Sequence, residues 1–235
     1  GNGGWRDLYP ELRQKYADKV IPKENPVRPR CPNLVRYEMM DQLGYFLTES
    51  SEHFAEYCPW FIKDGRDDLI ERYGIPLDEY PTRCEEQIAE WNDHFARLRA
   101  GEQMDIVASN EYAAVIMNAE MTDSPATIYG NVRNEGVISN LPSDCIVEVP
   151  CMVDSNGIQP TSIGALPPQL AAMMRTNINV QELVVAALVE ENREHIFHAA
   201  MFDPHTAAEL DVTQIRSMTN DLLTAHRDWL PAWTQ

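Results

Sequence analysis

Hydrophobic positions along this chain change period twice, dividing it into a helical stretch, an alternating stretch and a second helical stretch. Residues 7–20 have helical character. After them Pro22, Pro26, Pro29 and Pro32 lock φ and withdraw backbone donors, which predicts an extended arm. Over residues 33–43, Leu34, Val35, Tyr37, Met39, Met40 and Leu43 permit a helix that Gly44 would end. Residues 67–73 give a short helical turn and residues 84–100 a clearer helix. In the latter Ile88, Trp91, Phe95 and Leu98 fall on one stripe, Glu85, Glu86, Glu90 and Asp93 face water, and Gly101 stands where a cap is wanted.

The period then shortens to two. Residues 126–131, 137–140 and 145–153 carry β-branched alternation, with Val147, Val149, Cys151 and Val153 pointing one way and Ile146, Glu148, Pro150 and Met152 the other. Gly130, Gly136 and Gly157, with Leu141-Pro142-Ser143-Asp144, supply the turns. Strands joined this closely pair mostly antiparallel, because a parallel crossover needs about a dozen residues or more. From 169 to 201 the helical period returns, with Leu183, Val184, Ala187, Leu188 and Phe197 at core spacing, until Pro204 ends it. Asp211 and Gln214 match a capping box that opens a last helix to about residue 226. The expected class is α+β, helices packed on a small, mostly antiparallel sheet. Residues 1–32 form its N-terminal helix and arm, and residues 33–235 the body of one domain. Gly1-Asn2-Gly3-Gly4 has the composition of a turn with no strand beside it, so the chain reads as one cut from something larger.

Composition narrows the function classes. The net charge is −18, from 37 acidic against 19 basic residues, and a field of that sign repels polyanions, so nucleic acid and anionic membrane surfaces are not expected partners. No apolar run approaches the ~20 residues that span a bilayer, and the first ten residues lack signal-peptide character, which makes a cytoplasmic location the expectation. Cys31, Cys58, Cys84, Cys145 and Cys151 are odd in number and without a CxxC pair, so free thiols are expected.

Chemistry-bearing residues concentrate in Thr48-Glu49-Ser50-Ser51-Glu52-His53, followed by Phe54, Tyr57, Trp60 and Phe61. Hydroxyls, carboxylates and an imidazole beside aromatic faces are what a sugar pocket draws on, although a solvated polar turn has the same composition. Asn131 to Gly136 offers two amides and a guanidinium but reads equally as a hairpin loop, and Asp154-Ser155-Asn156-Gly157 as a tight turn. His195, His198 and His205 do not have HExxH spacing, and imidazoles in a last helical turn complement its dipole. Phosphate-cradling GxGxxG and GxxxxGK[ST] loops and the GxSxG elbow are absent from the sequence.

Longer runs resemble a known family. Val35-Arg36-Tyr37-Glu38-Met39, the stretch from Leu43-Gly44-Tyr45-Phe46-Leu47 through His53-Phe54-Ala55-Glu56-Tyr57, and Pro59-Trp60-Phe61 are similar to the α-galactosidases (melibiases) of glycoside hydrolase family four. So are Ile128-Tyr129-Gly130-Asn131-Val132-Arg133-Asn134, Val147-Glu148-Val149-Pro150-Cys151 and Asp203-Pro204-His205-Thr206. The resemblance implies the C-terminal domain of a lactate/malate dehydrogenase-like enzyme. Its dinucleotide fingerprint and metal-binding Cys and His belong upstream, so no cofactor or metal ligand is expected among these residues. For the complete enzyme it implies NAD and Mn2+, a small α-galactoside such as melibiose, and a reaction that oxidises, eliminates, adds water and reduces. This is one of the exceptions to the two-carboxylate rule for glycosidases. The fragment alone is expected to be inactive. An assembly module and a related α-glycosidase acting on a different sugar are the alternatives. A homo-oligomer is expected, with the helical run after Gln169 available to pair with a symmetry mate. The resemblance puts a catalytic base on a tyrosine of this stretch, and both Tyr45 and Tyr37 are open. A tyrosine ionises near about 10, so it needs a cation, a metal or a group such as Arg36, to act near neutrality. Arg66, Glu49, Ser50, His53, Asn131 and Asn134 are the expected substrate-binding residues.

Overall fold

The computed structural model describes residues 6–18, 33–103, 109 and 111–235. The glycine turn at the start, the four prolines of the arm and Cys31 lie outside the described residues. In chain order the elements are α1 (Tyr9–Ala17), α2 (Leu34–Leu43), α3 (Ser51–Glu56), α4 (Asp67–Tyr73), α5 (Glu79–Arg99) and α6 (Ala113–Thr122). Strands β1 (Ala126–Arg133), β2 (Ile146–Asp154) and β3 (Gly157–Pro160) follow, then α7 (Pro168–Glu190), α8 (Arg193–Phe202), α9 (Pro204–Glu209) and α10 (Val212–Ala225). The class is α+β. The chain divides into two compact units: residues 1–76 with 168–235, and residues 77–167.

The first unit is helical, and its boundaries follow local chemistry. Gly44 takes φ +85° and Gly74 φ +61°, so α2 and α4 both end on the left-handed residue that glycine adopts without strain. The Asp211 carboxylate accepts from the Thr213 and Gln214 amides while Gln214 accepts from the Asp211 amide, completing the expected capping box of α10. The run expected from 169 to 201 breaks in two. Glu191 turns to φ 51° and Asn192 caps α8 by accepting from the Glu194 amide at 3.1 Å. Pro204 ends that helix and opens α9, at whose first turn its missing N–H costs nothing.

Val35 and Met39 of α2 pack with Leu47, Phe54, Ala55, Cys58, Phe61, Tyr73 and Ile75 into one apolar cluster, against which Met173 of α7 rests. Phe61 meets Tyr73 edge-on at 4.9 Å. Burial pushes the Cys58 thiol up to about 11, so it is an inert core residue. Farther along, α8 packs on α7 and α10 packs on α8, with the Arg216 guanidinium 4.2 Å from the centre of the buried Phe197 ring. Only part of the core expected on α7 forms: Ala187 is buried, Val184 and Leu188 are exposed, and Leu183 is half-buried.

In the second unit β1, β2 and β3 form an antiparallel sheet in sequence order. Val147, Val149, Cys151 and Val153 are buried as their alternation required, and α6 packs on β1 and β2. Helix α6 was not anticipated, because its run of alanine and methionine has little amphipathic contrast. Residues 137–140 form no strand: Ile138 makes a single bridge to Gly164, and the segment wraps around Asn134. That side chain is fully buried. Its Nδ2 donates to the carbonyls of Ile138, Leu141 and Pro142, and its Oδ1 accepts from the Ile138 amide at 2.7 Å. The expected turn at 154–157 does form, with Asp154 accepting from the Asn156 amide and Gly157 at φ +90°.

Helix α1 is tied to α2 by Tyr16, which stacks on Tyr37 at 5.5 Å and donates to the Glu38 carboxylate at 2.8 Å. Desolvation first, then the bond to Glu38, raises the Tyr16 hydroxyl to about 12. Between about pH 10 and 12 the unfolded state therefore releases this proton before the folded state does, and stability falls over that window. Chemical denaturation across that range is expected to show the loss, and Tyr16→Phe is expected to flatten it. Asn134→Ala, which leaves buried carbonyls and an amide unpaired, is expected to lower stability by about 3 kcal/mol in the same experiment.

Candidate functional site

The exit of α2 is held in place from both sides. Arg36 Nε donates to the Leu47 carbonyl at 2.9 Å and Nη1 to the Asn33 side chain at 2.8 Å, while the guanidinium lies 4.4 Å from the centre of Phe46. From α1, Arg13 donates to the Gly44 carbonyl at 3.0 Å, and the Tyr9 hydroxyl accepts from the Phe46 amide at 3.1 Å. The stretch from 44 to 47 is thus fixed at several points, although its own residues are too few to form an element. These holding residues were not legible in the sequence, because Arg13 and Tyr9 act across more than thirty residues.

Tyr45 projects from this stretch with 43% of its surface exposed, its ring edge-on to Tyr9 at 6.4 Å. Tyr37 is 2% exposed, shut between Tyr16 and Phe46. The two candidate bases therefore differ sharply in access. Thr48 and Glu49 are exposed, and Glu49 accepts from the Ser50 amide at 2.8 Å. Ser50 is the N-cap of α3, its hydroxyl accepting from the His53 amide at 3.2 Å. The neighbouring Ser51 hydroxyl is buried without a hydrogen-bond partner.

His53 is half-buried, with Nδ1 3.0 Å from Glu56 and the ring stacked 6.4 Å from Tyr57. The hydrogen bond to Glu56 raises its pKa above the ordinary histidine value, with further help from the charges of Glu56, Glu52 and Glu49, against a lowering by burial. Glu52, His53 and Glu56 bring three ligand-type atoms within 4.8 Å of one another. The His53–Glu56 contact already satisfies two of the three, so the group is an internally paired turn of helix rather than an open coordination site.

Arg66 precedes α4 and spends its fork on Asp68, at 2.7 and 2.8 Å, on the protein surface. Asn131 lies on the exposed face of β1 opposite Glu148, and Asn134 knits its loop together. Both belong to the second unit, while Tyr45, Glu49, Ser50, His53 and Arg66 belong to the first. The Asn134 amide hydrogens are all engaged by its own loop. His195 and His198 place their Nδ1 atoms 3.3 Å apart, one donating to the other, and His195 also faces Glu190 at 3.3 Å. A groove of about 300 Å³ opens between α8 and α10, lined by Ile196, Ala200, Met218, Leu222 and Leu223. It lacks the convergent polar groups that a sugar needs, and none of the candidate residues lines it.

The model of the family 4 glycosyl hydrolase C-terminal domain matches residues 4–206. An α-galactosidase of Bacillus subtilis (strain 168) is 45% identical over 227 residues, covering 97% of this chain and 51% of the relative. An α-galactosidase of Rhizobium meliloti (strain 1021) is 30% identical over 210 residues, covering 85% of this chain and 42% of the relative. The chain thus spans about half the length of the curated relatives it matches. Among solved structures, a putative glucosidase, lplD, from Bacillus subtilis superposes with a TM-score of 0.80 at 22% identity, over 93% of this chain and 50% of that one. A 6-phospho-α-glucosidase from gut microorganisms, solved in complex with NAD and Mn2+, superposes at 0.70 and 18% identity, over 97% and 51%. These two show the fold. With the family model matching residues 4–206, which take in the whole of the second unit and most of the first, the chain belongs to the family 4 glycosyl hydrolases, of which it carries the C-terminal domain.

Proposed function

We propose that this chain is the substrate-side part of an α-galactosidase that hydrolyses small α-galactosides such as melibiose with the help of NAD and Mn2+. The observation that carries the reading is 45% identity to an α-galactosidase across 97% of the chain, a span that includes the loop and helix from Gly44 to Tyr57. The described residues do not fit either cofactor themselves. The one three-ligand group among the described residues is paired internally, and at the mouth of α4 Gly65 is followed by Arg66, whose fork is taken by Asp68, and by Asp67, whose charge would repel a phosphate. The proposal therefore assigns both cofactors to a part of the polypeptide outside these residues, and no step is routed through them here.

This chain would supply binding groups and a proton acceptor. Tyr45 is the better placed of the two tyrosines, since a base must reach substrate and Tyr37 is enclosed by rings. Arg36, Arg13 and Tyr9 are positioning residues that hold the backbone beside Tyr45. His53, kept cationic to higher pH by Glu56, would donate to a sugar hydroxyl, with Glu49 accepting and the Tyr57 and Trp60 faces available for stacking. Ser50 and Arg66 stay as further contacts in the proposal. The absence of a transmembrane-type helix among the described residues agrees with a water-borne sugar substrate but assigns no location.

Hydrolysis of a chromogenic α-galactoside with NAD and Mn2+ is the direct test. The chain alone is expected to be silent, and a polypeptide extended upstream to the length of the relatives is expected to be active. In that longer enzyme Tyr45→Phe is expected to lower kcat by about 10²-fold or more with KM little changed, while Tyr37→Phe acts mainly on stability. Activity of the chain by itself, or an extended enzyme inactive on every α-galactoside, would overturn the reading. Independently, Glu56→Gln is expected to move the His53 titration, followed by NMR, down toward about 6.5. Because the folded pKa is raised, the stability contributed by His53 is present below that value and is lost as pH rises through the raised one.

A further inference from the structure

Residues 57–66, between α3 and α4, form no helix or strand, yet they carry Tyr57 and Trp60, the aromatic faces offered above for stacking. Cys58 and Phe61 enter the apolar cluster, where Phe61 meets both Phe54 and Tyr73 edge-on. Trp60 stands beside Phe61 and is 48% exposed. Burial of Cys58 and Phe61 seats this stretch on the core, but it sets no direction for the indole between them.

A carboxylate from far along the chain supplies that direction. Glu209, the last residue of α9, accepts from the Asp64 amide at 2.9 Å through Oε2 and from Lys63 Nζ at 3.2 Å through Oε1. The same Nζ donates to the Pro59 carbonyl at 3.1 Å. One carboxylate and one ammonium thus grip the backbone on both sides of Trp60, from 145 and 146 residues away in sequence. The end of a helix is a poor place for an anion, because the last carbonyl dipoles face it. The Glu209 carboxyl is nevertheless held below the usual carboxylate range, by the Asp64 amide first and by Lys63 second. A partly exposed ion pair adds little to stability, and Cys58 and Phe61 already anchor the stretch, so what Glu209 contributes is orientation.

We infer that Glu209 is a positioning residue for sugar binding: through Lys63 and the Asp64 amide it holds Trp60 in the orientation that stacks on the substrate's ring. The inference rests on the α-galactosidase reading and deepens it. Glu209 acts on affinity and not on bond breaking, since its own oxygens are spent on Lys63 and Asp64.

Two measurements test this. In the chain by itself, with circular dichroism as the check of folding, Glu209→Ala is expected to speed hydrogen exchange at the Asp64 amide by about tenfold. An unchanged rate overturns the tether, and the inference with it, whatever the enzyme hydrolyses. In the polypeptide extended upstream to the length of the relatives, with NAD and Mn2+ supplied, Glu209→Ala and Trp60→Ala are each expected to raise KM for melibiose about fivefold, with the loss in KM and not in kcat. The double variant is expected to be no worse than either alone, because both changes remove the same stacked ring. Glu209→Gln, which keeps an acceptor for the Asp64 amide, is expected to recover most of the loss. A Glu209→Ala enzyme with unchanged KM or a loss in kcat, or losses that multiply in the double variant, overturns the inference and leaves the α-galactosidase reading in place. An extended parent enzyme inactive on every α-galactoside overturns both.

Discussion

The Arg36 guanidinium closes a short circuit in the backbone. It leaves the start of α2, bonds the Leu47 carbonyl beyond that helix's end, and lies over the Phe46 ring on the way. On the same helix Val35 and Met39 enter the core, while Tyr37 stacks on Tyr16. With the chain folded back at Gly44, Leu47 joins the apolar cluster and the polar residues 48–50 stay at the surface. Helix α3 then starts at Ser50 and sends Phe54 and Ala55 into the core that α2 has begun, leaving His53, Glu56 and Tyr57 outside it. Everything proposed about substrate contact depends on this turn. A charged, several-donor tether stabilises it better than a single hydrogen bond could, because each bond to the guanidinium is charge-assisted.

The second unit solves a different problem with one residue. Between β1 and β2 the chain makes a loop that is partly buried, and its carbonyls need donors where water cannot reach. Asn134 supplies them from the loop's interior, bonding three carbonyls and one amide. The strands on either side then keep the register in which Val132 faces Val147 and Gly130 faces Val149. At Gly130 an added Cβ would come 3.3 Å from the Cys151 sulfur, so the close approach of the two strands also depends on a missing side chain.

The two units differ in how they treat apolar surface. In the first, α2, α3 and α4 contribute to one cluster, and the exposed Tyr45 and Tyr57 lie against the Tyr9 and His53 rings. In the second, α5 carries an apolar stripe that is exposed among the described residues. There Trp91 and Phe95 stack on each other at 6.4 Å. The net charge of −18 opposes non-specific association of such exposed apolar surface.

By itself the sequence determined the elements whose signals are local. Gly44 and Gly74 end helices because only glycine takes the left-handed cap cheaply, and Asp211 with Gln214 opens one because their side chains meet the first free amides. The alternation of β2 dictated its buried face, since the strand period leaves no other choice once one face is covered. The polar and aromatic stretch from 48 to 57 could be read by composition either as sugar-binding groups or as a solvated polar turn. Tertiary structure alone decided which groups on it are accessible: that Tyr37 is enclosed and Tyr45 open, and that Asn134 is spent on its own loop. It also decided that the best-patterned helix, α5, leaves its apolar stripe exposed, and that the long run after Pro168 breaks at Glu191. The reason is common to these cases. Periodicity states that a face is apolar, whereas which neighbour covers it, and which donors a side chain has already used, depends on residues far away in the chain.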